Sequence, residues 1–189
     1  MVRDPRGNLQ RVSATKVNVG ERRVQGIDFG LNYRLPKRDW GQLSTGLNVA
    51  YMDEYTLQLD ADAPTVNLSG SFRDPQAEGA GALPKWKGNV GIQWARQRWR
   101  GSYDLHFVSS LKEVVPNTTA SRVVRNWLVH DVQASYLFDV FNGLRMAVGI
   151  DNLLDSDPPF AASAFNDNFD GPTHDIRGRY WYAKLSQRF

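Results

Sequence analysis

Hydrophobic and polar residues alternate one by one along most of this chain. That is the signature of β-strands whose two faces meet different surroundings. Ile27, Phe29, Leu31, Tyr33 and Leu35 alternate with Asp28, Gly30, Asn32 and Arg34; Leu43, Thr45, Leu47, Val49 and Tyr51 alternate with Ser44, Gly46, Asn48 and Ala50. The pattern returns over residues 90–94, 103–107, 132–138 and 144–150. It returns once more at the C-terminus, where Trp181, Ala183, Leu185 and Phe189 share one face and Tyr180, Tyr182, Lys184, Ser186 and Arg188 share the other. Seven strands are predicted, with residues 10–18 a weaker eighth. Helical periodicity is absent, so the chain reads as all-β.

The connections sort by length. Counting back from Phe189, residues 154–176 form a long loop, 139–143 a tight one, 112–126 a long one, 96–98 a tight one, 57–83 a very long one and 36–40 a short one. Strict alternation gathers the long loops at one end of an antiparallel up-and-down meander of about eight strands, as in membrane barrels. Greek-key sandwiches mix their connections and have no reason to obey it.

Magnitudes then orient the sheet. With the polar row outward, Arg34, Asp104, Asp131 and Arg145 would sit in hydrocarbon. One Arg at the bilayer midplane costs about 2–4 kcal/mol. The apolar row therefore faces lipid, and Asp28, Asp104, His106, Asp131, Gln133 and Arg145 line a wet interior. Trp86, Trp99, Tyr136 and Phe138 fall near strand ends, where aromatic girdles meet the headgroups.

Composition narrows the classes further. The net charge of +3 is spread along the chain and forms no basic stripe, which argues against a nucleic-acid partner. Without cysteine there is no disulfide and no thiolate metal site. Mean hydropathy is −0.48, and no apolar run approaches the roughly 20 residues of a spanning helix. The residues after Met1 lack the apolar core of a secretory signal, so an exported barrel would make this chain part of a longer protein.

Three pieces carry a resemblance. Val17-Asn-Val-Gly-Glu-Arg-Arg-Val-Gln-Gly-Ile-Asp28, Gly149-Ile-Asp-Asn-Leu-Leu-Asp155 with Pro158-Pro-Phe after it, and Gly178-Arg-Tyr-Trp-Tyr-Ala-Lys-Leu-Ser-Gln-Arg-Phe189 stand in order along the chain. Together the chain resembles the C-terminal β-barrel region of TonB-dependent outer-membrane receptors. The resemblance implies an open section of a roughly 22-stranded transmembrane β-barrel, with residues 1–189 its C-terminal part. The plug domain, TonB box and signal peptide would lie outside this sequence. It also implies the outer membrane of a Gram-negative bacterium, surrounding lipids, and energy coupling to TonB through the plug. A barrel-assembly machinery would read the terminal strand at Trp181, Leu185 and Phe189. The cargo would be a scarce, bulky small-molecule nutrient of the siderophore, carbohydrate or cobalamin class, and neither an enzyme nor a cofactor is expected.

The loop over 160–174 is the candidate substrate contact, through Phe160, Phe165, Asn166, Asp167, Asn168, Phe169, Asp170 and His174. Aromatic faces beside Asn and Asp suit sugars or a polar chelate. The same residue types are also ordinary loop formers. The loop over 57–83, with Asp60, Asp62, Phe72, Arg73 and Asp74, is a weaker candidate. Asn166-Asp-Asn-Phe-Asp-Gly171 echoes the front half of a calcium loop, but Arg177 stands where a bidentate Glu is required. His106, His130 and His174 lie on separate segments without paired ligand spacing, so no metal centre is expected.

Two rival readings remain open at this level. A self-contained eight-stranded outer-membrane barrel with a structural or adhesive role is one, although Gly30, Gly46, Gly91 and Gly149 would fill its interior poorly. A lipid-active barrel enzyme using His130 is the other, and it lacks a second catalytic residue.

Overall fold

The computed structural model describes residues 2–3, 6, 9–11, 20–58, 64–73, 81–114, 121–140, 143–164 and 167–187. In chain order the strands are β1 (Val2–Arg3), β2 (Leu9–Arg11), β3 (Glu21–Arg34), β4 (Gln42–Gln58), β5 (Val66–Asn67), β6 (Ser71–Arg73) and β7 (Gly81–Leu83). They continue as β8 (Trp86–Arg96), β9 (Trp99–Val108), β10 (Leu111–Val114), β11 (Ser121–Val124), β12 (Trp127–Phe138), β13 (Leu144–Asp151) and β14 (Tyr180–Ser186).

The seven long strands form one antiparallel sheet in the order β14-β13-β12-β9-β8-β4-β3, with short β5 on the upper end of β4. Long strands adjacent in the chain are thus adjacent in the sheet, the meander that the loop lengths predict. Among the described residues, β3 and β14 each have a single neighbour in this sheet, so the sheet is open. The expected eighth strand differs. Of residues 10–18, only Gln10 and Arg11 are described, and they pair in a separate hairpin with β1; the other seven lie outside the described residues.

Register makes two continuous faces. Tyr33, Thr45, Ile92, Tyr103, Val132, Ile150 and Trp181 form one cross-strand row, all on the apolar side. The neighbouring row on the opposite face reads Arg34, Ser44, Gln93, Ser102, Gln133, Gly149 and Tyr182. A slip of one residue in any pair would exchange these faces, so the alternation itself pins the register. The apolar side stays open: Ile27 is 69% exposed, Trp181 67% and Leu185 67%. Apolar surface continuous over seven strands far exceeds what a water-facing monomer shows.

Its height fits a bilayer. β8 has 11 residues; at about 3.3 Å each and a tilt of about 40° it spans about 28 Å, close to the apolar band of about 25 Å on membrane barrels. Aromatic rings cluster at both ends of this band. Tyr51 and Trp86 sit 4.5 Å apart at the long-loop end, whereas Trp99, Tyr136 and Phe138 stack edge to face at the tight-turn end. There the Arg98 guanidinium also pairs with Asp139 across two adjacent turns.

The long loops hold most of the buried apolar core. β6 and β7 from the loop after β4 join β10 and β11 from the loop after β9 in a four-stranded sheet, ordered β11-β10-β6-β7. β6 and β10 run parallel, which ties two separate loops together. Phe72, Leu111 and Val124 bury one side of this sheet against Ala161 and Ala164 of the loop after β13. Three loops therefore share one core and cap one end of the large sheet.

Candidate functional site

The six residues predicted to line the interior share the polar face. Asn32, Gly46, Gly91, Asp104 and Asp131 form one row of it, and Gly30, Asn48, Asn89, His106 and Val129 form the row nearer the loops. Asp28 stands towards the edge, on β3 opposite Ala50. Gln133 and Arg145 line a hollow of about 460 Å³ near the tight turns, together with Arg34, Arg100 and Lys184. Glycines at positions 46 and 91 open a shallow trough of about 410 Å³ beside Asp104. The cations Arg34, Arg100, Arg145 and Lys184 gather towards the turns, whereas Asp28, Asp104 and Asp131 stand nearer the loops, with Lys87 in the row of Asp28.

His106 and Asp131 go further and meet. His106 Nε2 lies 3.1 Å from one Asp131 carboxylate oxygen, and the other accepts the backbone N–H of Asn152 at 2.7 Å. Together with Trp127, Asp151, Asp175, Arg177 and Tyr180 they line a cavity of about 220 Å³ where the sheet meets the loops.

The sequence around Gly149-Ile-Asp-Asn-Leu-Leu-Asp155 builds this cavity. Asn152 adopts a left-handed backbone (φ 53°), which Asn tolerates better than most residues. Its side chain then accepts the Ser156 N–H at 2.8 Å and donates to the Ser156 carbonyl at 3.0 Å. The Asp155 carboxylate accepts the Arg179 N–H at 2.7 Å, and Arg179 Nε donates to the Leu153 carbonyl at 3.0 Å. Gly178 (φ 65°) turns the chain against that carboxylate, 3.1 Å from where a Cβ would stand. The long loop is thereby pinched shut at its base, which sets Asp151 beside Tyr180 in register.

Arg177 donates two hydrogen bonds from Nε (3.1 and 2.9 Å) and one from an Nη (2.6 Å) to the Asp175 carboxylate. These bonds hold the Asp175 carboxyl below the ordinary carboxylate range and raise the Arg177 guanidinium above its own. The guanidinium also lies over the Tyr180 ring, 5.9 Å from its centre. The cavity thus offers three carboxylates, one guanidinium and two aromatic faces. That set suits a polar organic solute carrying hydroxyl or cationic groups.

The loop residues predicted as substrate contacts divide. Phe160, Asp167 and Asn168 are exposed and Phe169 is half-buried, whereas Asp170 and His174 turn inward, at 5% and 4% exposure. Phe165 and Asn166 lie outside the described residues, as does Phe189; Trp181 and Leu185 lie on the exposed apolar face. His174 stacks edge-on to Trp127 with ring centres 5.2 Å apart, and its Nδ1 meets the Asp170 carbonyl at 3.2 Å. Burial pulls the His174 pKa below its ordinary 6.5, outweighing the opposing pull of Asp170.

A group that is harder to protonate when folded stabilises the fold above its unfolded pKa and loses that contribution as pH falls. The loop over 152–179 should therefore weaken as pH drops below about 6.5. Hydrogen exchange over residues 170–176 should quicken between pH 7 and pH 5, after correction for the intrinsic rate. His174→Phe should flatten that dependence; an unchanged slope in the variant would contradict this role.

His130, the one catalytic residue considered for the lipid side, instead shares a 2.7 Å hydrogen bond with the Tyr103 hydroxyl on the apolar face. Ser102 and Ser135 lie on the opposite face, so no serine joins it from the neighbouring strand positions. Trp127, Asp151, Asp175, Arg177 and Tyr180 were absent from the predicted contacts.

The model of the family described as TonB dependent receptor-like, beta-barrel, matches residues 2–153. No curated protein and no solved structure matches the chain. Members of that family are outer-membrane receptors and transporters, not enzymes. With its meander, two-faced sheet and capped loop end, this chain belongs to the TonB-dependent receptor family as part of the β-barrel.

Proposed function

We propose that residues 1–189 form the C-terminal part of the barrel of a TonB-dependent receptor in a Gram-negative outer membrane. In the complete receptor further strands close the sheet, a plug fills its interior, and TonB drives import through that plug. The barrel-assembly machinery reads the terminal strand at Trp181, Leu185 and Phe189. Cargo is a scarce, bulky nutrient of the siderophore, carbohydrate or cobalamin class. The cavity between His106, Asp131, Asp151, Arg177 and Tyr180 contributes to its first binding site.

The observation that carries this reading is the sheet itself: an exposed apolar face of bilayer height backed by a polar face lined with charged side chains. The self-contained small barrel needs the two ends of the sheet to pair. The strand over 10–18 that would close it lies mostly outside the described residues.

Uptake of labelled ferric siderophores, oligosaccharides and cobalamin by cells carrying the complete receptor tests the proposal. One class should enter only when TonB is present. Asp151→Asn and Arg177→Gln should each raise the KM for that solute several-fold with little change in maximal rate, the mark of lost ground-state binding. Uptake of none of the three classes in a TonB-dependent manner would sink the reading.

A further inference from the structure

We infer that Glu113 is a positioning residue that locks the 160–174 loop to the cap, so that three long loops open and close as one body. Glu113 lies on β10 and is 1% exposed. Among the described residues no ion pair reaches its carboxylate. One carboxylate oxygen accepts the backbone N–H of Ser163, at 2.5 Å. A buried carboxylate is costly unless it is hydrogen-bonded, and a bond from a backbone N–H to a charged acceptor is among the stronger kinds. Removing the acceptor therefore leaves a part-buried N–H unpaired as well as a cavity.

The local geometry shows why Ser163 is the partner. Residues 161–164 form a tight turn closed by the Ala164 N–H on the Ala161 carbonyl at 3.1 Å, which leaves the Ser163 N–H free to point outward. Ala161 and Ala164 flank it and seat in the core made by Phe72, Leu111 and Val124. The Ala161 N–H then donates to the Asn168 carbonyl at 2.7 Å, which carries the constraint to exposed Asn168 and half-buried Phe169. On its other side β10 is bonded to the loop after β4, with Glu113 in register with Phe72 and the Lys112 N–H donating to the Gly70 carbonyl at 2.8 Å. Arg122 of β11 stands opposite Glu113 and is exposed. Three residues beyond the end of β11 comes Trp127, a wall of the 220 Å³ cavity. A displacement of the 161–164 turn therefore reaches both the cap and the cavity wall through bonded neighbours.

The coupling is independent of which solute the receptor imports. Hydrogen exchange on the detergent-solubilised complete receptor tests it, read on segments 71–73, 111–113 and 160–169. In the unmodified protein, mild urea should open all three with one shared free energy, well before β8, β9 and β12. Separate openings in the unmodified protein would overturn the inference without any variant. Glu113→Ala should speed exchange over 160–169 by about tenfold or more, as expected for loss of a hydrogen bond to a charged group. Glu113→Gln keeps a carbonyl acceptor of the same reach and should return exchange to within about threefold of the unmodified protein. An unchanged rate in Glu113→Ala, or no recovery in Glu113→Gln, would each refute the role.

Discussion

Gly149→Ala is expected to loosen the terminal strand, and Tyr182→Ala in the same chain is expected to remove most of that damage. Gly149 on β13 faces Tyr182 on β14 in register, and the tyrosine ring lies flat across it. A Cβ at position 149 would stand 2.3 Å from Tyr182 Cζ and 2.4 Å from its hydroxyl oxygen. No side chain tolerates that approach, so the ring must swing away. It would lose the 3.3 Å hydrogen bond that the Tyr182 hydroxyl donates to Gln133 Oε1, one strand further on. The ring thus spans three strands, from β14 across β13 to β12.

Overpacking of this kind costs about 1–3 kcal/mol, and contacting residues couple by about 0.5–3 kcal/mol. Urea unfolding of the receptor in micelles should show a Gly149→Ala loss within that range. The double variant should be no less stable than Tyr182→Ala alone. Strict additivity of the two changes would mean that the ring and the glycine do not depend on each other.

The second large effect concerns the apolar face. Ile92→Arg should destabilise the barrel by about 2–4 kcal/mol in a lipid bilayer, the cost of an Arg near the midplane of a membrane barrel. Ile92 sits in the row with Tyr33, Thr45, Tyr103, Val132, Ile150 and Trp181 and is itself exposed on the sheet surface. Asn89→Arg on the same strand serves as the control, because Asn89 belongs to the polar row with Asn48 and His106. Its effect should stay within about 0.5 kcal/mol. Equal losses at both positions would mean that lipid does not contact the apolar face.

Strand content was legible because period-two alternation is a local property of each segment. The seven long strands, their order and the two faces all follow from it once loop lengths are added. His106, Asp131, Gln133 and Arg145 fell on the polar face for the same reason. β3 begins several residues before the alternation does. Glu21 to Gly26 carry two arginines and a glutamine, and the strand crosses a register shift at Gln25 and Gly26 that interrupts the alternation.

The loop layer was not legible at all. β6, β7, β10 and β11 have three or four residues each, too few to show any period, and β6 finds β10 about forty residues away. Phe72, one of the weaker contact candidates, is a core residue, and nothing in the sequence marks Glu113. Asp170 and His174 looked like loop polar groups open to solute, yet packing against Trp127 turns His174 inward.

The alternation of side-chain types alone thus establishes a two-faced β-meander, because each residue's face depends only on its parity within its own strand. Which polar residues meet, which loops share a core and which carboxylate is buried depend on partners distant in the chain. Those were decided only when register, the pinched loop base and the cap brought them together.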